Sequence, residues 1–85
     1  MNIKCYDNGG KTVDRYTVVY LDFPESAPKT YACIGMNSEP FHPQGFGQHG
    51  SAMLGRHLGK VIKFSDMPKD CQQVVINDLK GAPAK

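Results

Sequence analysis

Three histidines, three cysteines and a cluster of glycines are the residues of this chain best equipped for chemistry. Gly45-Phe46-Gly47-Gln48-His49-Gly50 matches Gly-x-Gly-x-x-Gly, the spacing that cradles a dinucleotide pyrophosphate. That chemistry needs a strand running straight into the first glycine and a helix opening near the last, so that amides and the helix dipole converge on phosphate. Here Pro43-Gln44 precedes the first glycine, and only Ser51 to Leu54 separates Gly50 from Gly55, too short for a crossover helix. Asp70 lies about 20 positions on, where a ribose-binding acid would stand. It falls in a helical pattern, however, rather than at the end of a second parallel strand. The glycines therefore read as turn formers, and no cofactor is implied.

His42, His49 and His57 together with Cys33 would be ordinary zinc ligands, but structural zinc sites draw theirs from close pairs. The intervals here are eight, six and seven intervening residues. No metal site is assigned, and a Cys/His zinc protein stays as a lesser alternative. A catalytic thiol needs a base beside it. Cys5 and Cys33 instead alternate within strand patterns and Cys71 sits on an apolar helical stripe, so all three read as reduced core thiols. Their odd number and wide spacing give no disulfide framework. Asp14, Asp22, Glu25 and Glu39 fall at turns or strand ends, where solvated carboxylates are expected rather than a hydrolase pair. No catalytic residue is assigned, and the chain reads as a protein that is not an enzyme.

Two binding chemistries remain. Asn8, Gly9, Gly10 and Arg15, with the amides of residues 45–50, would form an anion-accepting nest in a small-ligand or nucleotide-binding protein that sequesters its ligand. Tyr6, Tyr16, Tyr20 and Tyr31, with Lys4, Arg15 and Lys29, would suit stacking of single-stranded nucleic acid. Tyrosines in a small sheet more often pack under a loop with their hydroxyls at the rim, so a nucleic-acid module ranks lower.

Several elements must position these residues. Ile3 to Tyr6 alternates apolar and polar, and Asp7-Asn8-Gly9-Gly10 accepts positive φ at a hairpin tip. Thr12 to Leu21 predicts a second strand, with Tyr16, Val18 and Tyr20 on one face and Val13, Val19 and Leu21 on the other. Phe23 to Pro28 is a proline-broken connector. Thr30 to Met36 is a third strand, with Tyr31 and Cys33 facing away from Ala32, Ile34 and Met36, and Lys60 to Phe64 is the next. Over residues 66–80, Met67, Cys71, Val74, Val75 and Leu79 recur every three or four positions, which predicts a helix. Ser65 or Asp66 would cap it, Pro68 suits its first turn, Gly81 and Pro83 would stop it, and Ala82 to Lys85 would fray. The expected fold is α+β: an antiparallel sheet of about four strands with one C-terminal helix on one face and a long ordered loop.

With 85 residues the chain is a single domain, and one this small buries only about 60–65% of its unfolded surface. Its hydrophobic content of 40%, charged content of 21% and net charge of +2 are those of a globular domain, too mildly basic to imply nucleic acid. Met1 to Cys5 lacks an apolar leader, and no run approaches the roughly 18 apolar residues of a membrane span, so a cytoplasmic protein without a membrane partner is expected. A homodimer would extend the small core.

The expected loop, residues 37–59, is far longer than the usual connection, and such segments are commonly functional. Phe41, Phe46, Met53, Leu54 and Leu58 would anchor it on the sheet. GMNSEPFHPQGFGQHG, with CYDNGGKTVDRYTVVY and HLGKVIKFSDMPKDCQQVVINDL, resembles a group of short proteins of bacteriophages and related mobile elements, most without an assigned activity. The resemblance spans Cys5 to Leu79 and implies a small cytoplasmic protein made during infection or carried on a mobile element. It implies a non-enzymatic inhibitor of a host macromolecule, a counter-defence factor such as an anti-CRISPR, whose partner is a host protein complex such as a defence nuclease or effector complex. On that reading Phe41, His42, Gln44, Phe46, Gln48 and His49 contact the partner.

Overall fold

The computed structural model describes residues 2–45 and 47–80. Strands β1 (Ile3–Asp7), β2 (Tyr16–Pro24), β3 (Thr30–Met36), β4 (Gly47–Met53) and β5 (Lys60–Ile62) form one antiparallel sheet in the order β4-β3-β2-β1-β5. Helix α1 (Lys69–Leu79) covers one face, and short 3-10 turns occupy Arg56–Leu58 and Phe64–Asp66. The fold is thus α+β, as the element order predicts, with five strands rather than four.

Two-residue alternation decides which side chains meet the helix. Ile62, Cys5, Val18, Ile34 and His49 stand opposite one another across all five strands, so they share a face. Tyr16, Tyr20 and Met36 join this face, and Met67, Cys71 and Val75 close over it as one buried core. Each fully buried apolar side chain of this size contributes about 1.5–3 kcal/mol, which makes this layer the main source of stability. Val61, Tyr6, Thr17, Gly35 and Gln48 form the matching row on the opposite face. There the core is a small cluster of Tyr6, Val19 and Cys33, with Leu21, Tyr31, Ala52 and Leu58 packed around it.

The second strand begins at Tyr16 rather than Thr12, because side chains of the preceding turn bond to its backbone and compete with pairing. Val13, expected on a strand face, is exposed in that turn. At its other end β2 runs past an irregularity between Val19 and Pro24 and finishes at Pro24, which stands opposite Tyr31 at the strand's last position, where a missing N–H costs the ladder least. The last strand ends at Ile62, and Phe64–Asp66 turns into a 3-10 helix whose Asp66 carboxylate accepts from Lys63 N–H at 3.0 Å. Asp66 is therefore used before the helix, and α1 opens after Pro68. Gly59 turns the chain onto β5 with φ 109°, and a Cβ there would meet Asp7 O and Asn8 Cα at 2.5 and 2.6 Å, so both conformation and close approach require glycine. The expected helix stop at Gly81 and Pro83 and the frayed tail Ala82 to Lys85 lie outside the described residues. Among the described residues no helix is long and apolar enough to cross a membrane.

Candidate functional site

The β1–β2 turn is held by its own side chains. Asn8 Oδ1 accepts from Gly10 N–H (2.8 Å) and Lys11 N–H (3.0 Å), while its Nδ2 donates to Thr12 Oγ1 (2.8 Å) and Asp14 O (3.2 Å). Asp7 Oδ1 accepts from Gly9 N–H (2.7 Å) and Arg15 Nε (2.8 Å). Arg15 also reaches Asp7 Oδ2 at 3.2 Å and stands 5.1 Å over the Tyr16 ring. Its guanidinium holds the Asp7 carboxyl below the usual carboxylate range. The donors that an anion nest would use at Gly9, Gly10 and Arg15 are thus engaged inside the turn, and Gly45 N–H donates to His42 O at 2.6 Å. Gly47 begins β4, which is separated from β2 by β3, so the two glycine groups do not converge.

The described residues among those expected to contact a partner lie in two places, the 41–44 turn and β4. Phe41 is exposed, and His42 Nδ1 accepts from Gln44 N–H at 3.1 Å in a local turn that leaves Gln44 exposed. Phe46 lies outside the described residues. Gln48 and His49 are neighbours on β4, so strand alternation sends them to opposite faces.

His49 on the helix side meets a residue the sequence did not single out. Its Nε2 lies 2.8 Å from Asp78 Oδ1, 29 residues away in the last turn of α1. Tyr20 lies beside this pair with its hydroxyl buried just outside full hydrogen-bond geometry, and burial first, then the approach of the Asp78 carboxylate, raise its pKa well above the usual phenol range. Tyr20, Phe23, Ala32, His49, Asp78 and Leu79 line a groove of about 360 Å³. Leu79, expected in the helix core, is 42% exposed at its rim. The one signal available in the sequence was an aspartate near the C-terminal end of a predicted helix, where the dipole disfavours a negative charge.

On the opposite face a cavity of about 250 Å³ lies over Thr17, Cys33 and Gly35, walled by Asp14, Gln48 and Leu58. Burial, and then the Asp14 carboxylate, raise the Cys33 thiol above its ordinary pKa. Burial pushes the Cys5 and Cys71 thiols up to about 11 each. Activation of a nucleophilic cysteine requires a shift the other way. His49 faces away from Cys33, and among the described residues no group of three or more His, Cys, Asp or Glu could hold a metal ion. The four tyrosines are likewise divided: Tyr16 and Tyr20 are buried under α1, whereas Tyr6 and Tyr31 belong to the other face. They make no common stacking platform.

Strand β4 has a third property. Among the described residues it pairs with β3 alone, which leaves the outward backbone groups of its seven residues free. All are exposed except the half-buried Ala52, and a Cβ at Gly47 or Gly50 would meet nothing within 4 Å. Comparison with protein-family models, with curated proteins and with solved structures finds no match.

Proposed function

We propose that this chain is a non-enzymatic binding protein that captures a protein partner by adding an extended segment of it to the free edge of β4. The observation that carries this is the edge itself. Edge strands are normally guarded by lysine, proline, a bulge or a covering segment. Gly47–Met53 contains no lysine, arginine, acid or proline, and its pairing with β3 runs in unbroken register from Gly47 to Met53. A strand added there gains main-chain hydrogen bonds, and the pockets beside it give specificity. Met53 and Leu54, both exposed, offer apolar contact at the end of the edge.

The resemblance to phage and mobile-element proteins supports a cytoplasmic setting and a host macromolecule as the target, hence a counter-defence role. Inhibition by occupancy requires one well-formed contact surface and no reaction chemistry, in keeping with three thiols whose pKa values are all raised.

Hydrogen exchange tests the mode of capture. Affinity purification with the intact protein identifies the partner, and addition of that partner is expected to protect β4 amides. Ser51→Lys, which places a charge on the edge, is expected to abolish capture while leaving the circular dichroism spectrum unchanged. Protection confined to residues 54–61 on the opposite face, or full capture by Ser51→Lys, would refute edge pairing. A second copy of this chain as the bound species would identify a homodimer instead.

A further inference from the structure

We infer that the groove between β2, β3, β4 and the C-terminal turn of α1 is a binding site for a small organic cation, an amine carried on an apolar or aromatic body. The inference is independent of the β4 edge reading, because it rests on the inside face of the sheet and on α1.

The groove is open and largely apolar: Phe23 and Leu79 are exposed at its sides, and Ala32 and the Tyr20 ring lie within it. Two of its polar groups, the Asp78 carboxylate and the Tyr20 hydroxyl oxygen, can accept hydrogen bonds. Asp78 uses Oδ1 for His49 and keeps Oδ2, a second acceptor. The buried Tyr20 hydroxyl turns its proton toward the Asp78 carboxylate without reaching full hydrogen-bond geometry, and its oxygen keeps lone pairs for an incoming donor.

The charge has the same sense. The last carbonyls of α1 bring partial negative charge to this end, no basic residue stands in its last turn, and Asp78 adds a carboxylate. Lys80 follows as the C-cap, but the side chain that bonds Asp78 is His49. A carboxylate at this terminus opposes helix stability, and an ammonium seated on it would reverse that effect. The ammonium has donors for Asp78 Oδ2 and the Tyr20 oxygen, and the aromatic rings of Tyr20 and Phe23 favour a cation beside them. A volume of about 360 Å³ accommodates one ring with a short side chain.

The test uses the full chain, labelled with nitrogen-15 and titrated at neutral pH with phenethylamine, 2-phenylethanol and phenylacetate. These share an aromatic body and differ in charge. Phenethylamine is expected to shift the amide signals of His49, Asp78 and Leu79 saturably, 2-phenylethanol to bind about tenfold more weakly, and phenylacetate to leave them unmoved. Asp78→Asn, which keeps the shape of the side chain, is expected to weaken phenethylamine by about tenfold, and Tyr20→Phe by a smaller factor. Phenylacetate binding as well as phenethylamine would make this an anion or purely apolar site. No shift with phenethylamine up to its solubility limit would remove the site altogether. The ranking of the three ligands on the unaltered protein decides the matter even if a variant unfolds.

Discussion

The two faces of the sheet are built from strands of the same residues yet are unlike in strength. Under α1, nine buried side chains from β1, β2, β3 and the 67–75 segment form one continuous layer. On the other face the buried cluster has three members, and the cover is the short turn Arg56–Leu58. The same alternation along β2 and β3 feeds both. Three turns of amphipathic helix bury far more apolar surface than one 3-10 turn, and buried area sets the hydrophobic term. The helix face therefore acts as the scaffold. The edge beyond it, where β4 leaves the shelter of α1, offers free backbone and the groove at His49 and Asp78.

The largest effect that would break this comparison is loss of a helix-face side chain. Met36 of β3 is wholly buried in the layer that the sheet shares with α1, so Met36→Ala is expected to lower unfolding stability by about 2–5 kcal/mol, read from the urea midpoint. A cost below about 1 kcal/mol would mean that the layer under α1 is loosely packed and that stability resides elsewhere.

The thiols sharpen the same contrast. Cys5 and Cys71 lie in the helix-face core, and burial raises both to about 11 from 9.0. A folded-state pKa above the unfolded one gives stability that is fully present below the unfolded value and is lost as pH climbs through the folded value. Stability is therefore expected to be flat toward neutral pH and to fall between about pH 9 and 11, by roughly 2–3 kcal/mol per thiol. Denaturant curves across that window would show the fall. The Cys5→Ala/Cys71→Ala variant, less stable at neutral pH because of its cavities, should show a shallower one. An unchanged slope in the variant would assign the alkaline loss to the tyrosines.

Most of the scaffold was legible in the sequence because its periodicities are strong. Thr30–Met36 has the predicted bounds, and Cys71, Val74 and Val75 meet the sheet as their spacing requires. Strand β4 was hidden for a physical reason: Gly47-Gln48-His49-Gly50-Ser51-Ala52-Met53 has two glycines and no β-branched residue, and an edge strand exposed on both sides shows no apolar alternation. Its backbone pairing with β3, rather than its side chains, makes it a strand. The orientation of Gln48 and His49 was hidden for the same reason, since a loop would have let them face one way and a strand sends neighbours to opposite faces. The Tyr20, His49 and Asp78 groove joins residues from three elements far apart in the chain, and no local pattern predicts such a meeting. Asn8 was legible as a turn residue, but not the engagement of its side chain by Gly10, Lys11, Thr12 and Asp14.

Leu58 gives the smallest and most direct test of the weaker face. It packs, half-buried, on Tyr6, Val19 and Cys33 and walls the cavity above Cys33. Leu58→Ala removes methyl groups already near solvent, and the surrounding turn can settle, so the expected loss is about 1 kcal/mol or less. Access should change more than stability. Cys33 is 8% exposed beneath this cover, whereas Cys5 and Cys71 lie under α1 at 3% and 0%. Labelling with a thiol reagent followed by mass spectrometry is therefore expected to quicken at Cys33 several-fold and to stay unchanged at the other two. Equal acceleration at all three would mean that Leu58 holds the whole fold, and that the two faces do not differ in kind.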